Sequence, residues 1–312
     1  MGRLQTGSLD SKRGLSVAVV ILLGCVAAVW ALIEWDDRSG LAPAEPTASD
    51  VLVRYGFTLK NTTNQSLHNV SFSTFAPVPK TAFQTLQSIE ASRPFTKHSD
   101  DLGNQTLSFE VPELPPYGQH VVTIKARLTM WSQPGIQFAA PSSESSDPLV
   151  EQGVDFVERI LVELEASGTQ LEGIEPALSI HQWVHQNLRD VGYVSRDRGA
   201  RYALTERKGD CTEFMHAALG LFRASGLQAL GIAGFRVNGR GAVLSAADYH
   251  NWTIFKGKGK PDHWHLSDPH GDVFNANESQ YVAFRILKTG SSEITNSQRF
   301  FSYDPRVVVE MN

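Results

Sequence analysis

Lys208-Gly209-Asp210-Cys211-Thr212-Glu213-Phe214-Met215 is the stretch on which the reading of this chain turns. Asp210 is a good helix N-cap residue, and Glu213 three positions later completes a capping-box pattern that satisfies two orphan backbone N–H groups. Behind it Phe214, Ala217, Ala218, Leu221 and Phe222 form an apolar helix face, and Gly226 is placed to end the helix. Cys211 thus falls on the first helical position, at the positive end of the helix dipole, where a thiol pKa is expected to fall. This is a position for a nucleophile, although capping and spacing alone would equally serve a structural buried cysteine.

A thiol nucleophile needs a base, and the base needs an orienting partner. His250 lies in Asp248-Tyr249-His250-Asn251-Trp252-Thr253, at the entrance to a strand-like segment. Asp268 lies in Trp264-His265-Leu266-Ser267-Asp268-Pro269, at a strand end before a proline. Two adjacent strands could align them so that the carboxylate holds the imidazole toward the sulfur. Periodicity does not prove that pairing, because the chain holds ten histidines.

Gly209-Asp210-Cys211, His250-x-Trp252 and Asp268-Pro269, in that order, resemble the three motifs of the transglutaminase-like superfamily. Trp183-Val184 with Asn187 and Tyr193, Ala203-Leu204 and Arg207, Arg223-Ala224-Ser225-Gly226-Leu227 and Phe235-Arg236-Val237 resemble its flanking features. The resemblance covers roughly 150–290. Two departures stand out: Asn251, where the family commonly has a small residue, and Gly226-Leu227-Gln228-Ala229-Leu230 at the helix exit. Neither departure is expected to touch the triad.

The resemblance implies a papain-like α+β core with Cys211, His250 and Asp268 as a catalytic triad for acyl transfer or hydrolysis on peptide or carboxamide bonds. The implied substrate is a peptide, a protein or a cell-envelope polymer, and no cofactor or metal is implied. The Cys211 backbone N–H is the natural first oxyanion donor. Tyr193, Trp183 and Trp252 are candidates for further oxyanion or substrate contacts. A non-catalytic or non-acyl member of the fold, binding or processing envelope peptides or glycans, is the alternative.

Outward from the motifs, Phe156, Ile160, Leu161 and Leu164 share one helix face, as do Ile180, Val184 and Leu188. Strand-like segments follow at 230–237, 251–255 and 281–287. Helices first and strands afterwards argue for an α+β domain at 148–312. Upstream, Val51, Val53, Tyr55, Phe57 and Leu59 alternate with mostly polar partners, and further strand-like runs occupy 69–75, 106–111 and 119–129. They predict a small antiparallel β-sandwich at 51–135, with Ala76-Pro77-Val78-Pro79 and Leu114-Pro115-Pro116-Tyr117 resembling the N-terminal domain of bacterial exported members.

Residues 34–50 read as a linker. Before it, 14–33 is free of charge and long enough to span a bilayer as a transmembrane helix. Arg3, Lys12 and Arg13 precede this run, and Glu34, Asp36 and Asp37 follow it. The positive-inside rule therefore keeps 1–13 cytoplasmic and exports the rest, as in a single-pass protein of the bacterial inner membrane. Lipid attachment at Cys25, after Leu22-Leu23-Gly24, and cleavage as a signal peptide are the alternatives.

Acids number 33 against 28 bases, for a net charge of −5, which gives no support to a nucleic-acid surface. Cys25 and Cys211 are the only two cysteines, so a disulfide-rich scaffold is excluded. Six Asn-x-Ser/Thr sequons, at Asn61, Asn64, Asn69, Asn104, Asn251 and Asn277, read as Asn-rich turns meeting Thr/Ser-rich strands. His216 reads as a surface or core position, and His181 with His185 suits a metal edge but lacks the intervening Glu of a zinc protease. His263, His265 and His270, which near Asp262, Asp268 and Asp272 could suggest zinc, read as polar positions on a strand leading to Asp268. The run Lys256-Gly257-Lys258-Gly259-Lys260 reads as a solvated hairpin tip.

Overall fold

The alternation of Val51, Val53, Tyr55, Phe57 and Leu59 becomes strand β1 (Ala48–Asn61), with all five side chains buried. In this computed structural model residues 47–133, 138–139, 154–166, 175–193, 197–256, 263–287, 300–302, 304 and 306–312 are described. The apolar run 14–33, Cys25 and most of the linker lie outside them, and among the described residues no helix is long and apolar enough to cross a membrane. β1 starts inside the expected linker, because Ala48 already pairs with Trp131.

Five more strands complete the first layer pair: β2 (Leu67–Ala76), β3 (Gln84–Ala91), β4 (Thr96–Ser99), β5 (Gln105–Leu114) and β6 (Gln119–Trp131). One sheet runs β1–β6–β3 and the other β2–β5–β4, all antiparallel. Their apolar faces share a core in which the Phe57 and Phe72 rings lie 5.0 Å apart. β3 and β4 carry no clean alternation and are not foreseen in the sequence. They are edge strands, and β4 is exposed throughout.

The second half supplies four helices, α1 (Val154–Ala166), α2 (Glu175–Asn187), α3 (Gly199–Glu206) and α4 (Cys211–Ala224). Two short strands, β7 (Arg189–Asp190) and β8 (Lys208–Gly209), pair in parallel just ahead of α4. A second sheet has the order β13 (Val273–Phe274), β12 (Trp264–Asp268), β11 (Tyr249–Lys256), β9 (Gln228–Arg236), β14 (Tyr281–Ile286). The helices pack on one face of it through a core that holds Ile180, Leu204, Leu221 and the Phe222–Phe255 pair, with ring centroids 4.8 Å apart. Strands and helices together make a mixed α+β fold.

Three strands from the second half cross back into the first. β10 (Gly241–Val243) and β16 (Val307–Met311) share the outer edge of β1, and β15 (Phe300–Ser302) pairs with β2. The sandwich sheets are therefore completed by residues that sequence reading assigns to the 148–312 domain. Pro46–Asn312 is a single contact unit.

Edge strand β14 is also covered by the sandwich. Gln84 donates to the Ala283 carbonyl at 2.9 Å and accepts from the Ala283 N–H at 2.8 Å. Asn104 makes the same double contact with Ile286, at 2.9 and 2.6 Å. Two buried side-chain amides thus take the place of a neighbouring strand along an edge that would otherwise present unpaired backbone groups.

Candidate active site

The start of α4 is built as its sequence predicts. Asp210 accepts from the Thr212 N–H at 2.8 Å, and Glu213 accepts from the Asp210 N–H at 3.1 Å, which closes the capping box. The other Glu213 oxygen takes the Arg198 N–H at 2.9 Å. Glu213 is fully buried, and that burial pushes its carboxyl up to about 7. Gly209 has to be glycine here, since a Cβ would lie 2.2 Å from the Glu213 Cβ. Gly226, at φ +81°, follows the end of the helix.

Cys211 is half-buried at the first helical position. The neighbouring Asn251 backbone N–H and Thr212 hydroxyl favour the thiolate. Burial outweighs them, and the charges of Asp210 and Asp268 add to it, so the thiol is pushed up to about 12. The lowering expected at a helix start is therefore not what the structure gives. Desolvation penalises a charged sulfur more than the helix terminus and two donors reward it.

His250 and Asp268 sit on neighbouring antiparallel strands. Thr253 pairs with Ser267, so the register continues to place Asp268 opposite Trp252, with His250 diagonal to it on the same face. The His250 Nε2 lies 2.8 Å from Asp268 Oδ2, which makes Nε2 the donor and leaves Nδ1 as the ring's basic atom. The Tyr281 hydroxyl donates to the same oxygen at 2.8 Å, and the Gly271 N–H donates to Oδ1 at 3.1 Å. Burial raises the Asp268 carboxyl, but these donors and the His250 charge outweigh it and hold it below its ordinary value. Gly234 pairs with His250 in the register, and a Cβ there would lie 2.1 Å from the Val282 carbonyl oxygen and 2.8 Å from Trp252.

Aromatic rings wall the imidazole. Trp252 stacks with it at 6.5 Å between centroids, and His270 lies 5.5 Å away on the turn after Asp268. His270 Nε2 is 3.4 Å from Asp190, which adjoins Gly209 through the β7–β8 pair. The turn after Asp268 and the β7–β8 pair ahead of Cys211 therefore meet beside His250. Trp252 thus lies at the site. Trp183 is buried under the Arg207 guanidinium at 4.2 Å, and Tyr193 is 80% exposed. Neither hydrogen-bonds to Cys211, His250 or Asp268 among the described residues.

Three neighbours of the triad escape sequence reasoning. The sequence pattern presents Tyr281 only as strand, His270 as a polar position beside Asp268, and Asn251 as a residue clear of the triad. Asn251 lies next to the nucleophile rather than on the triad: its Nδ2 donates to Thr212 Oγ1 at 2.7 Å, on the residue after Cys211. As a sequon Asn251 is closed, being 3% exposed. His181 and His185 hold the turn after Asp268 through Ser267, Asp272 and the Pro269 carbonyl. Among the described residues no group of three His, Cys, Asp or Glu side chains could hold a metal ion.

Residues 162–269 match the sequence model of the transglutaminase-like superfamily, a span that holds all three motifs. The chain carries a transglutaminase-like core. Solved structures show distant likeness to it. A Cytophaga hutchinsonii protein, proposed by name to be a cysteine protease, is 13% identical with a TM-score of 0.49, over 86% of this chain and 92% of that one. A Parabacteroides distasonis protein, a proposed protease, is 12% identical with a TM-score of 0.32, over 80% and 49%. A structure named as a TGase is 13% identical with a TM-score of 0.30, over 49% and 42%. The match spans less than half the length of the last two. No curated protein matches the sequence.

Proposed function

We propose that the transglutaminase-like core is a thiol enzyme that transfers acyl groups from peptide or carboxamide substrates, with Cys211 as nucleophile, His250 as general base and Asp268 as the group that orients it. The observation that carries this reading is the buried 2.8 Å contact of His250 Nε2 with Asp268, beside a capped helix start that bears the only cysteine among the described residues. Because the resting thiol is neutral, the proton moves to His250 Nδ1 as the sulfur attacks the carbonyl carbon. Asp268 stabilises the imidazolium, and the Cys211 backbone N–H, at a helix N-terminus, donates to the developing oxyanion. His250 then returns the proton to the departing amine. Water or a second amine takes the acyl group from sulfur, giving hydrolysis or cross-linking.

In this reading the apolar run 14–33 holds the enzyme at the inner membrane with its core on the periplasmic side, where envelope peptides are the substrate. Cell-envelope extracts incubated with the full-length protein or with Cys211→Ala are compared by mass spectrometry. New cleavages, deamidated side chains or isopeptide bonds that need Cys211 support the proposal, and identical extracts refute it. Burial of the Cys211 sulfur, which disfavours the thiolate, is what favours a non-catalytic binding protein, and the same comparison separates the two.

A further inference from the structure

We propose that Arg236 is a substrate-binding residue: its guanidinium receives a carboxylate that the peptide carries within one or two residues of the bond that reacts. The inference rests on the thiol-enzyme reading above and deepens it by naming the substrate class, an acidic peptide. Four strands bring their ends to one rim of the second sheet. β12 ends at Asp268, β11 begins at Tyr249 beside His250, β9 ends at Arg236 and β14 begins at Tyr281. Gly234 pairs with His250 and Arg236 with Tyr281, and alternation puts positions 234 and 236 on the same face. Arg236 thus shares both the rim and the face of the His250–Asp268 pair.

The guanidinium is placed by its neighbours, but its donors are not spent. It lies 5.3 Å over the Tyr281 ring, and Gly271 leaves it room, since a Cβ there would lie 2.9 Å from Nη1. Its ion contact is with Asp268 Oδ2 at 4.0 Å, too long for a hydrogen bond. The reason is on the acceptor's side. Oδ2 already takes His250 Nε2 and the Tyr281 hydroxyl, each at 2.8 Å, which fills its two lone pairs. Among the described residues no other acid pairs with Arg236, and its side chain is 42% exposed. A planar fork of N–H donors beside a carboxylate that is already filled suits a second carboxylate in bidentate geometry. Contacts of 4.0 and 2.8 Å link Nη1 through Asp268 to the imidazole, and an extended peptide advances about 3.5 Å per residue. The carboxylate that Arg236 meets therefore belongs to a residue next to the reacting one or to the one beyond it.

The test applies matched alkylating reagents to the full-length protein at pH 9, which raises the thiolate fraction. Mass spectrometry of the Cys211 peptide keeps Cys25 out of the signal. N-iodoacetylglycine carries a terminal carboxylate, and N-iodoacetylglycinamide is its neutral counterpart. The α-amide of N-iodoacetylglutamate carries a side-chain carboxylate, and N-iodoacetylglutaminamide is its neutral counterpart. The ratio of acid to amide rates within a pair cancels any change in the thiol itself. Arg236→Gln is expected to lower that ratio about tenfold in at least one pair, as the loss of a hydrogen bond between charged partners implies. Arg236→Lys keeps the charge without the fork and should recover only part of it. The pair that responds identifies the carboxylate received, terminal or side-chain.

Lys125→Gln removes an exposed cation on β6 of the sandwich and should leave both ratios at their wild-type values. Unchanged ratios in Arg236→Gln for both pairs, or an equal fall in Lys125→Gln, would overturn the proposal. A Cys211 that no reagent labels refutes the thiol-enzyme reading itself, whereas labelling with unchanged ratios refutes only the role of Arg236.

Discussion

Replacing Tyr281 with Phe removes one hydroxyl and little else. Tyr281 is 2% exposed, its ring meets Trp252 edge-on at 5.1 Å, and its hydroxyl donates to Asp268 Oδ2 at 2.8 Å. Phe keeps the ring contact and leaves a fully buried carboxylate with two donors, His250 Nε2 and the Gly271 N–H. A hydrogen bond to a charged group contributes about 1.5–3 kcal/mol, and one pKa unit corresponds to about 1.4 kcal/mol. Tyr281→Phe should therefore cost about 1.5–3 kcal/mol at pH 7.5 and raise the Asp268 pKa.

The folded Asp268 carboxyl lies below its ordinary value of 3.8. Its stabilisation is thus present above that value and is lost as pH falls through the lower, folded one. The stability gap between wild type and variant should stay constant from pH 8 to 5 and shrink below about pH 4. Urea midpoints at pH 7.5, 5 and 3.5 measure this. A gap under about 0.5 kcal/mol at pH 7.5, or one that does not change with pH, would refute the claim that the hydroxyl supports a buried carboxylate.

Glu213 titrates with the opposite sign. Burial raises it from 4.5 to about 7, so its contribution is fully present below pH 4.5 and is lost as pH rises through about 7. Wild type should gain stability on going from pH 8 to 5.5 by more than Glu213→Gln does, as denaturant midpoints of the two will show. Gly234→Ala drives a methyl into a backbone carbonyl and should destabilise by about 2 kcal/mol or more in thermal melts. Gln84→Ala leaves the Ala283 N–H without its buried acceptor and should cost about 2–4 kcal/mol, with equilibrium unfolding as the readout. Unmodified Cys211 should react with iodoacetamide more slowly than free cysteine at pH 7, since its thiol lies near 12, and kinetic labelling decides this directly.

Local chemistry was legible without coordinates. The N-cap, the capping box and the terminating glycine of α4 are contacts between residues a few positions apart, and each formed where the residue types required. The alternation of β1 and the helix faces of α1 and α2 were readable because burial imposes a period on side chains. Pattern alone left ten histidines open, and it was the family resemblance that singled out His250 with Asp268; the register that sets them diagonal to each other came only with the tertiary structure.

Tyr281, Asn251 and His270 were not legible at the site, because each reaches it across a fold contact that no spacing rule covers. β15 and β16 pair with β2 and β1 over more than two hundred residues, and β10 joins β1 in parallel, so a boundary near 135–148 could not reveal which sheets they complete. The thiol is the clearest case. Sequence placed Cys211 at a helix terminus, where local dipoles and donors favour a thiolate. Only the tertiary structure sets how much protein lies over the sulfur and how near two carboxylates come to it, and those terms decide that the resting thiol keeps its proton.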